Sequence, residues 1–185
     1  MIRRLAAHKL RESRFSEDRR PRIIRGVRQV GKTTLVKEFA KEFDTFLLLN
    51  LERSKDSELF EQTDDVGQLL QSIYFHKKQE QKDGSVLLFI DEIQNSKKAV
   101  AMLRYFYEEA PEIHVIVAGS LLETVMDVRK ISFPVGRVEF MSLRPCSFLE
   151  FLDGLGEDFD KELVENFSVE SVVHDRVMQL FREYV

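Results

Sequence analysis

The sequence predicts an α/β fold in which a five-stranded parallel sheet is covered by helices. Three observations carry that expectation. A glycine-rich turn, Gly26-Val-Arg-Gln-Val-Gly-Lys-Thr33, stands between a short β-branched run and a run with helical periodicity. Downstream, apolar runs alternate with amphipathic stretches, and the runs are apolar at consecutive positions, as strands buried on both faces require. One of those runs, Val86–Ile90, ends in Asp91-Glu92.

The elements follow in chain order. Ile2, Leu5, Ala6 and Leu10 recur at helical spacing, which predicts a helix within residues 2–14. Residues 15–21 are polar and end at Pro21, a linker into the core. Arg22–Arg25 is short and β-branched, a first strand. Thr34–Phe43 places Leu35, Phe39 and Phe43 on one helical face. Thr45–Leu51 is a buried strand, and the polar, acidic residues 52–64 read as a loop. Val66, Leu69, Leu70, Ile73 and Tyr74 mark a helix that stops by Gly84. Val86–Ile90 is the third strand. Ala99, Val100, Leu103, Phe106 and Tyr107 mark a helix ended near Pro111. Ile113–Ala118 and Arg137–Leu143 are the fourth and fifth strands. Beyond Arg144-Pro145 the pattern is helical only, with Phe148, Leu149 and Leu152 in one helix and Val173, Val177, Leu180, Phe181 and Tyr184 in another. That last stripe has no capping residue after it, which predicts a fragment of a longer protein. The expected division is residues 1–20 as helix and linker, 21–144 as the core, and 145–185 as a helical extension.

Composition narrows the function classes. A chain of 185 residues with 43% hydrophobic content supports one α/β domain with a real core. No apolar run reaches the ~18 residues of a membrane span. The charged N-terminus is not a signal peptide. The single cysteine, Cys146, excludes an internal disulfide and fits a reducing, cytoplasmic setting. The scattered histidines, His8, His76, His114 and His174, do not make a zinc pattern. Net charge is −4, yet residues 1–37 carry 12 Lys/Arg against 3 Asp/Glu. A basic arm for nucleic acid is one reading. A solvated helix beside an anion site is the other, favoured because the chain as a whole is acidic and no aromatic residues interleave the basic ones.

The glycine-rich turn reads G-x-x-x-x-G-K-T, a phosphate-binding loop. Gly26 and Gly31 let the backbone curl so that the N–H groups of Arg28, Gln29, Val30 and Gly31 can face phosphate oxygens. Lys32 supplies a point charge for the β- and γ-phosphates, and the Thr33 hydroxyl can ligate Mg2+, with Thr34 beside it. The helix that starts at the loop turns its positive end to the same oxygens. Asp91 is the second metal residue. Glu92 is placed to polarise the attacking water, because ATP has no internal nucleophile. Arg28 inside the loop and Glu52 at the end of the second strand lie at the ligand-binding edge of the sheet.

An extra strand, Thr45–Leu51, lies between the loop and the Asp-Glu strand. That arrangement resembles the additional-strand class of P-loop ATPases. The resemblance implies strand order 5-1-4-3-2, a catalytic role for Glu92, and a polar residue at the end of the fourth strand that senses the γ-phosphate. Ser120 is that candidate, with a plain Gly-Ser turn as the alternative. Arg137, at the start of the fifth strand, is a candidate to stabilise transferred charge, with a surface arginine as the alternative.

More specifically, Gly26–Thr34, Phe89-Ile-Asp-Glu-Ile-Gln94, Ala118-Gly-Ser-Leu-Leu122, Phe133–Phe140 and Leu143–Leu152 occur in the order of one family. Together they resemble the prokaryotic AAA-type ATPases of the AAA_14 domain group, over about residues 20–185. Val27 departs from the Pro or Ala common in that group, at a position where only the backbone amide is needed. Family members continue into a DUF4143 C-terminal domain, likened to a nuclease or winged-helix fold, which the chain stops short of. The resemblance implies Mg2+-dependent hydrolysis of ATP to ADP and phosphate. The competing expectation is a non-hydrolysing, ATP-bound switch or interaction module. A small-molecule kinase is disfavoured by Glu92.

Overall fold

The computed structural model describes residues 4–120, 132–156, 164–165 and 171–185. The strands are β1 (Arg22–Arg25), β2 (Thr45–Asn50), β3 (Val86–Asp91), β4 (Ile113–Gly119) and β5 (Glu139–Ser142). All pairings are parallel, in the order β2-β3-β4-β1-β5. Read from the other edge this is 5-1-4-3-2, the order implied by the additional-strand resemblance. β1 and β3 are separated by β4, and that gap is where a loop following β1 can meet a carboxylate at the end of β3.

Every residue of β3 is buried, and its side chains alternate between two cores. Leu88 and Ile90 join one face with Leu47, Leu49, Val115 and Val117. Helices α3 (Ser54–Gln62), α4 (Val66–Lys77) and α5 (Lys97–Glu109) cover that face. Leu87 and Phe89 join the other face with Ile24, Ile116 and Met141, under α1 (Ala6–Arg14) and α2 (Lys32–Phe39). Period-two alternation on a strand with no polar side is the physical reason the sequence shows continuous apolar runs. Helices α6 (Phe148–Leu155) and α7 (Ser171–Tyr184) meet through an aromatic cluster, with the Phe148 ring 5.2 Å from Phe181 and 5.6 Å from Tyr184.

Residues 52–64 are not the loop their polarity predicts. Ser54–Gln62 is helix α3, with Leu59 and Phe60 buried. The acidic run misleads because Asp56 points inward. It is 3% exposed and accepts hydrogen bonds from the Asn50 N–H at 2.8 Å and from Lys77 at 2.8 Å, and its other partner is His76 at 2.7 Å. The first helix begins at Ala6 rather than Ile2, which lies outside the described residues, as do Leu121 and Leu122 and the side chain of Val173. The helix after the loop starts at Lys32 and gives way to a 3-10 turn at Ala40–Glu42. β5 begins at Glu139, so Arg137 lies in the turn before it. Among the described residues no helix is long and apolar enough to cross a membrane.

Candidate functional site

The site is built where β1 ends. Gly26 follows the strand directly, and a Cβ there would be driven into the Leu143 carbonyl oxygen. Only glycine lets the loop pass that close to the chain leaving β5. Gln29 has φ 62° and Gly31 φ 95°, so the loop turns twice through the left-handed region before α2 begins at Lys32. Gly31 is the N-cap of α2, and the positive end of that helix opens into the loop.

Lys32 is buried, and its Nζ donates to the carbonyls of Gly26 at 2.8 Å and Val27 at 2.9 Å. The amine thus spans the mouth of its own loop. Burial lowers its pKa, against the nearby charges of Glu92 and Asp91, which raise it. The Thr33 hydroxyl donates to Asp91 Oδ2 at 2.7 Å. This contact joins the first turn of α2 to the end of β3. Asp91 is 8% exposed. Burial raises its pKa, the Thr33 bond pulls it down, and the neighbouring Glu92 charge adds to the rise. A carboxylate held this far from water, with a hydroxyl oxygen beside it, is a donor set suited to a hard divalent cation.

Glu92 has φ 54° and ψ 45°, a left-handed conformation that a glutamate adopts only under constraint. Its backbone N–H donates to Asp91 Oδ1 at 3.1 Å. Its Oε2 accepts from the Gln94 amide and from the Ser120 hydroxyl at 3.2 Å. Gln94 and Ser120 are both buried. The ends of β3 and β4 are thereby joined through one carboxylate. On the far side of β3, Asn50 pairs in register with Asp91, and its Oδ1 accepts the Glu52 N–H at 2.9 Å.

The predicted residues therefore separate into groups. Gly26, Gly31, Lys32, Thr33, Asp91, Glu92 and Ser120 converge at the C-terminal edge of the strands. Arg28, Gln29, Thr34 and Glu52 are exposed around that edge, while Val30 is buried. Arg137 is elsewhere. Its Nε donates to Glu108 at 2.8 Å, near the end of α5. It sits two residues before Glu139, which pairs with Arg22 at the starts of β5 and β1. That is the edge opposite the loop, so Arg137 does not reach the site of its own chain.

Three residues here have no role in the sequence-based expectations. Gln94 is the polar partner of Glu92; it closes the Phe89–Gln94 motif, but nothing in its type or spacing gives it that part. Arg4 lies against the loop, where its Nη1 donates to the Val30 carbonyl at 2.8 Å, and its Nε donates to Glu150 at 3.2 Å. Glu150 carried a readable signal: Ser147-x-x-Glu150 forms a capping box at the start of α6.

Comparison with known proteins agrees with this geometry. The fold is shared with a Walker-type ATPase of Pyrococcus abyssi (TM-score 0.53, 19% identity), over 85% of this chain and 59% of that one. It is shared also with a chain from a structure on the basis of katanin self-assembly (TM-score 0.53, 14% identity), over 85% of this chain and 56% of the other. The chain thus spans less than two thirds of the length of both. No curated protein matches it in sequence. The family described as an AAA domain, AAA_14, matches residues 18–152, which hold the loop, the Asp-Glu strand end and the capping box, and the chain belongs to that family.

Proposed function

We propose that residues 21–144 bind ATP with Mg2+ and hydrolyse it to ADP and phosphate, and that residues 145–185 are a helical extension of that core. The observation that carries the reading is the 2.7 Å contact between Thr33 and Asp91. It brings a loop hydroxyl and a buried carboxylate together one residue away from a second carboxylate.

In this reading the loop amides and Lys32 hold the phosphates. Lys32 exchanges the carbonyls of Gly26 and Val27 for phosphate oxygens, an exchange of neutral acceptors for charged ones. Thr33 and Asp91 would hold Mg2+, which supplies charge neutralisation on the phosphates. Glu92 accepts a proton from the water that attacks the γ-phosphorus. The bond from that phosphorus to the bridging oxygen breaks, ADP leaves with the bond's electron pair, and Glu92 returns its proton to solvent. Ser120, on the same carboxylate oxygen, orients it and is placed to respond to the γ-phosphate. Arg137 would act only on nucleotide held by a neighbouring copy.

The switch reading keeps one supporting observation. The Glu92 carboxylate is already engaged by Gln94 and Ser120, as it would be in a site that binds without hydrolysing. Binding itself is tested by Lys32→Ala. Wild type should be stabilised by ~2.7 kcal/mol at one hundred times the dissociation constant of Mg·ATP, and the variant should not be stabilised. Equal stabilisation of the two, read as a shift in thermal unfolding, would remove the loop assignment.

A further inference from the structure

Arg4 takes no part in the chemistry above, yet its guanidinium joins three separate regions of the chain. Nη1 donates to the Val30 carbonyl at 2.8 Å, Nε to Glu150 Oε1 at 3.2 Å, and Nη2 to the Arg144 carbonyl just after β5. The side chains of Arg4 and Glu150 are 14% and 7% exposed. Both Glu150 oxygens are used, because Oε1 also accepts the Leu5 N–H at 2.7 Å and Oε2 accepts the Ser147 N–H at 2.8 Å. Burial opposes the charge on Glu150, but the Ser147, Leu5 and Arg4 donors outweigh it and hold the carboxyl below its usual range. Below this contact a cavity of about 880 Å³ opens between α1 and β5, lined in part by Lys9, Arg22, Phe140 and Ser142. Arg4 therefore bridges an open cleft.

The Val30 carbonyl is a consequential place to be held. It shares one planar trans peptide with the Gly31 N–H, so fixing the oxygen fixes the N–H in the opposite direction. Gly31 has φ 95° and no side chain to resist rotation of that peptide. An external bond must therefore select its orientation.

We propose that Arg4, held in place by Glu150, is a positioning residue that sets the Val30–Gly31 peptide for phosphate binding and couples α1 and α6 to nucleotide occupancy. The proposal rests on the phosphate-loop reading. A buried ion pair adds little net stability but is well suited to fixing one arrangement among several. Arg4 can transmit in both directions, because its planar group touches the loop at Val30 and the Glu150 carboxylate, which in turn accepts the Leu5 N–H at the start of α1 and the Ser147 N–H at the cap of α6.

The test uses the full chain and Mg·ADP as the probe. Arg4→Ala should weaken Mg·ADP binding about tenfold by calorimetry, roughly 1.4 kcal/mol. Glu150→Gln should weaken it less, and the double variant should bind no worse than Arg4→Ala, as expected of two groups acting through one contact. In wild type, Mg·ADP should slow hydrogen exchange at the Leu5 and Ser147 amides, and in Arg4→Ala it should not. Arg4→Lys, which keeps the charge but cannot reach three acceptors, should show the same loss of coupled exchange and secures the test if the alanine variant fails to fold. Mg·ADP affinity of Arg4→Ala within twofold of wild type would overturn the proposal. So would additive losses in the double variant, or Leu5 and Ser147 amides that ignore nucleotide in wild type. Wild type that binds no Mg·ADP would overturn the phosphate-loop reading itself, and the proposal with it.

Discussion

Glu92 carries the clearest residue-scale tension. A glutamate at φ 54°, ψ 45° costs roughly 1–3 kcal/mol relative to an ordinary backbone conformation. Here the Asp91, Gln94 and Ser120 contacts hold it. Strain of this kind gathers where a side chain must point somewhere specific, here toward Gln94, and toward Ser120 at the end of β4. If Glu92 takes the proton from water, Glu92→Gln should keep nucleotide affinity near wild type and slow turnover by on the order of 100-fold. The amide keeps the shape and loses the basicity. Phosphate release and Mg·ATP binding measured on the same preparations decide it. A parallel loss of both would make Glu92 a folding or metal residue, and undetectable turnover in wild type would favour the switch.

At the scale of elements, α3 shows how a buried acid organises a helix. Asp56 fastens the N–H of Asn50, at the end of β2, to His76 and Lys77 at the end of α4. Burial alone would raise the Asp56 pKa, but the Asn50, Lys77 and His76 partners outweigh it and lower it. Asp56→Ala would leave a backbone N–H and two side chains without their acceptor in a largely dry place. The expected loss is about 2–4 kcal/mol of unfolding free energy. A loss below about 0.5 kcal/mol in a denaturant titration would place Asp56 among ordinary surface acids. Asn50 faces Asp91 in register, so the same anchor also holds the edge of the site.

For the whole molecule, the pH dependence of stability has opposing parts. His114 lies on β4 beside Phe43, ring to ring at 4.9 Å. Burial, with the Arg19 and Arg14 charges, lowers its pKa from 6.5 to about 4. Between those values the unfolded chain binds a proton that the folded chain refuses, so stability falls as pH falls through that window. Asp56 and Glu150, also lowered, add their loss below the usual carboxylate range. Asp91, raised by burial first, works the other way and recovers stability on acidification. His114→Phe keeps the ring contact and removes the proton. Its unfolding free energy between pH 6.5 and 4 should fall less than wild type's, by on the order of 2–3 kcal/mol. Parallel curves for the two proteins would show that His114 does not carry the effect.

By itself the sequence determined the strands, their parallel pairing class and the glycine-rich loop with the carboxylate pair at a strand end. Those signals are local: a loop that must be Gly26 and Gly31, strands such as Leu87–Ile90 that must be apolar on two faces, and a carboxylate pair at a strand end. The strand order was implied by the resemblance to the additional-strand class, which the strand between the loop and Asp91 carries. Tertiary structure alone decided the rest. Asp56 looks like a surface acid in a string of letters, and only packing places donors around it; Glu150 reads as a capping-box residue, but its Leu5 and Arg4 donors come from packing. Arg137 and the loop both lie next to strands, yet one precedes β5 and the other follows β1. Parallel strands put starts and ends on opposite edges, and that separates the arginine from its own chain's site. Arg4 is far from the loop in sequence, and its tie to Val30 and Glu150 exists only because α1 and α6 close on the same corner.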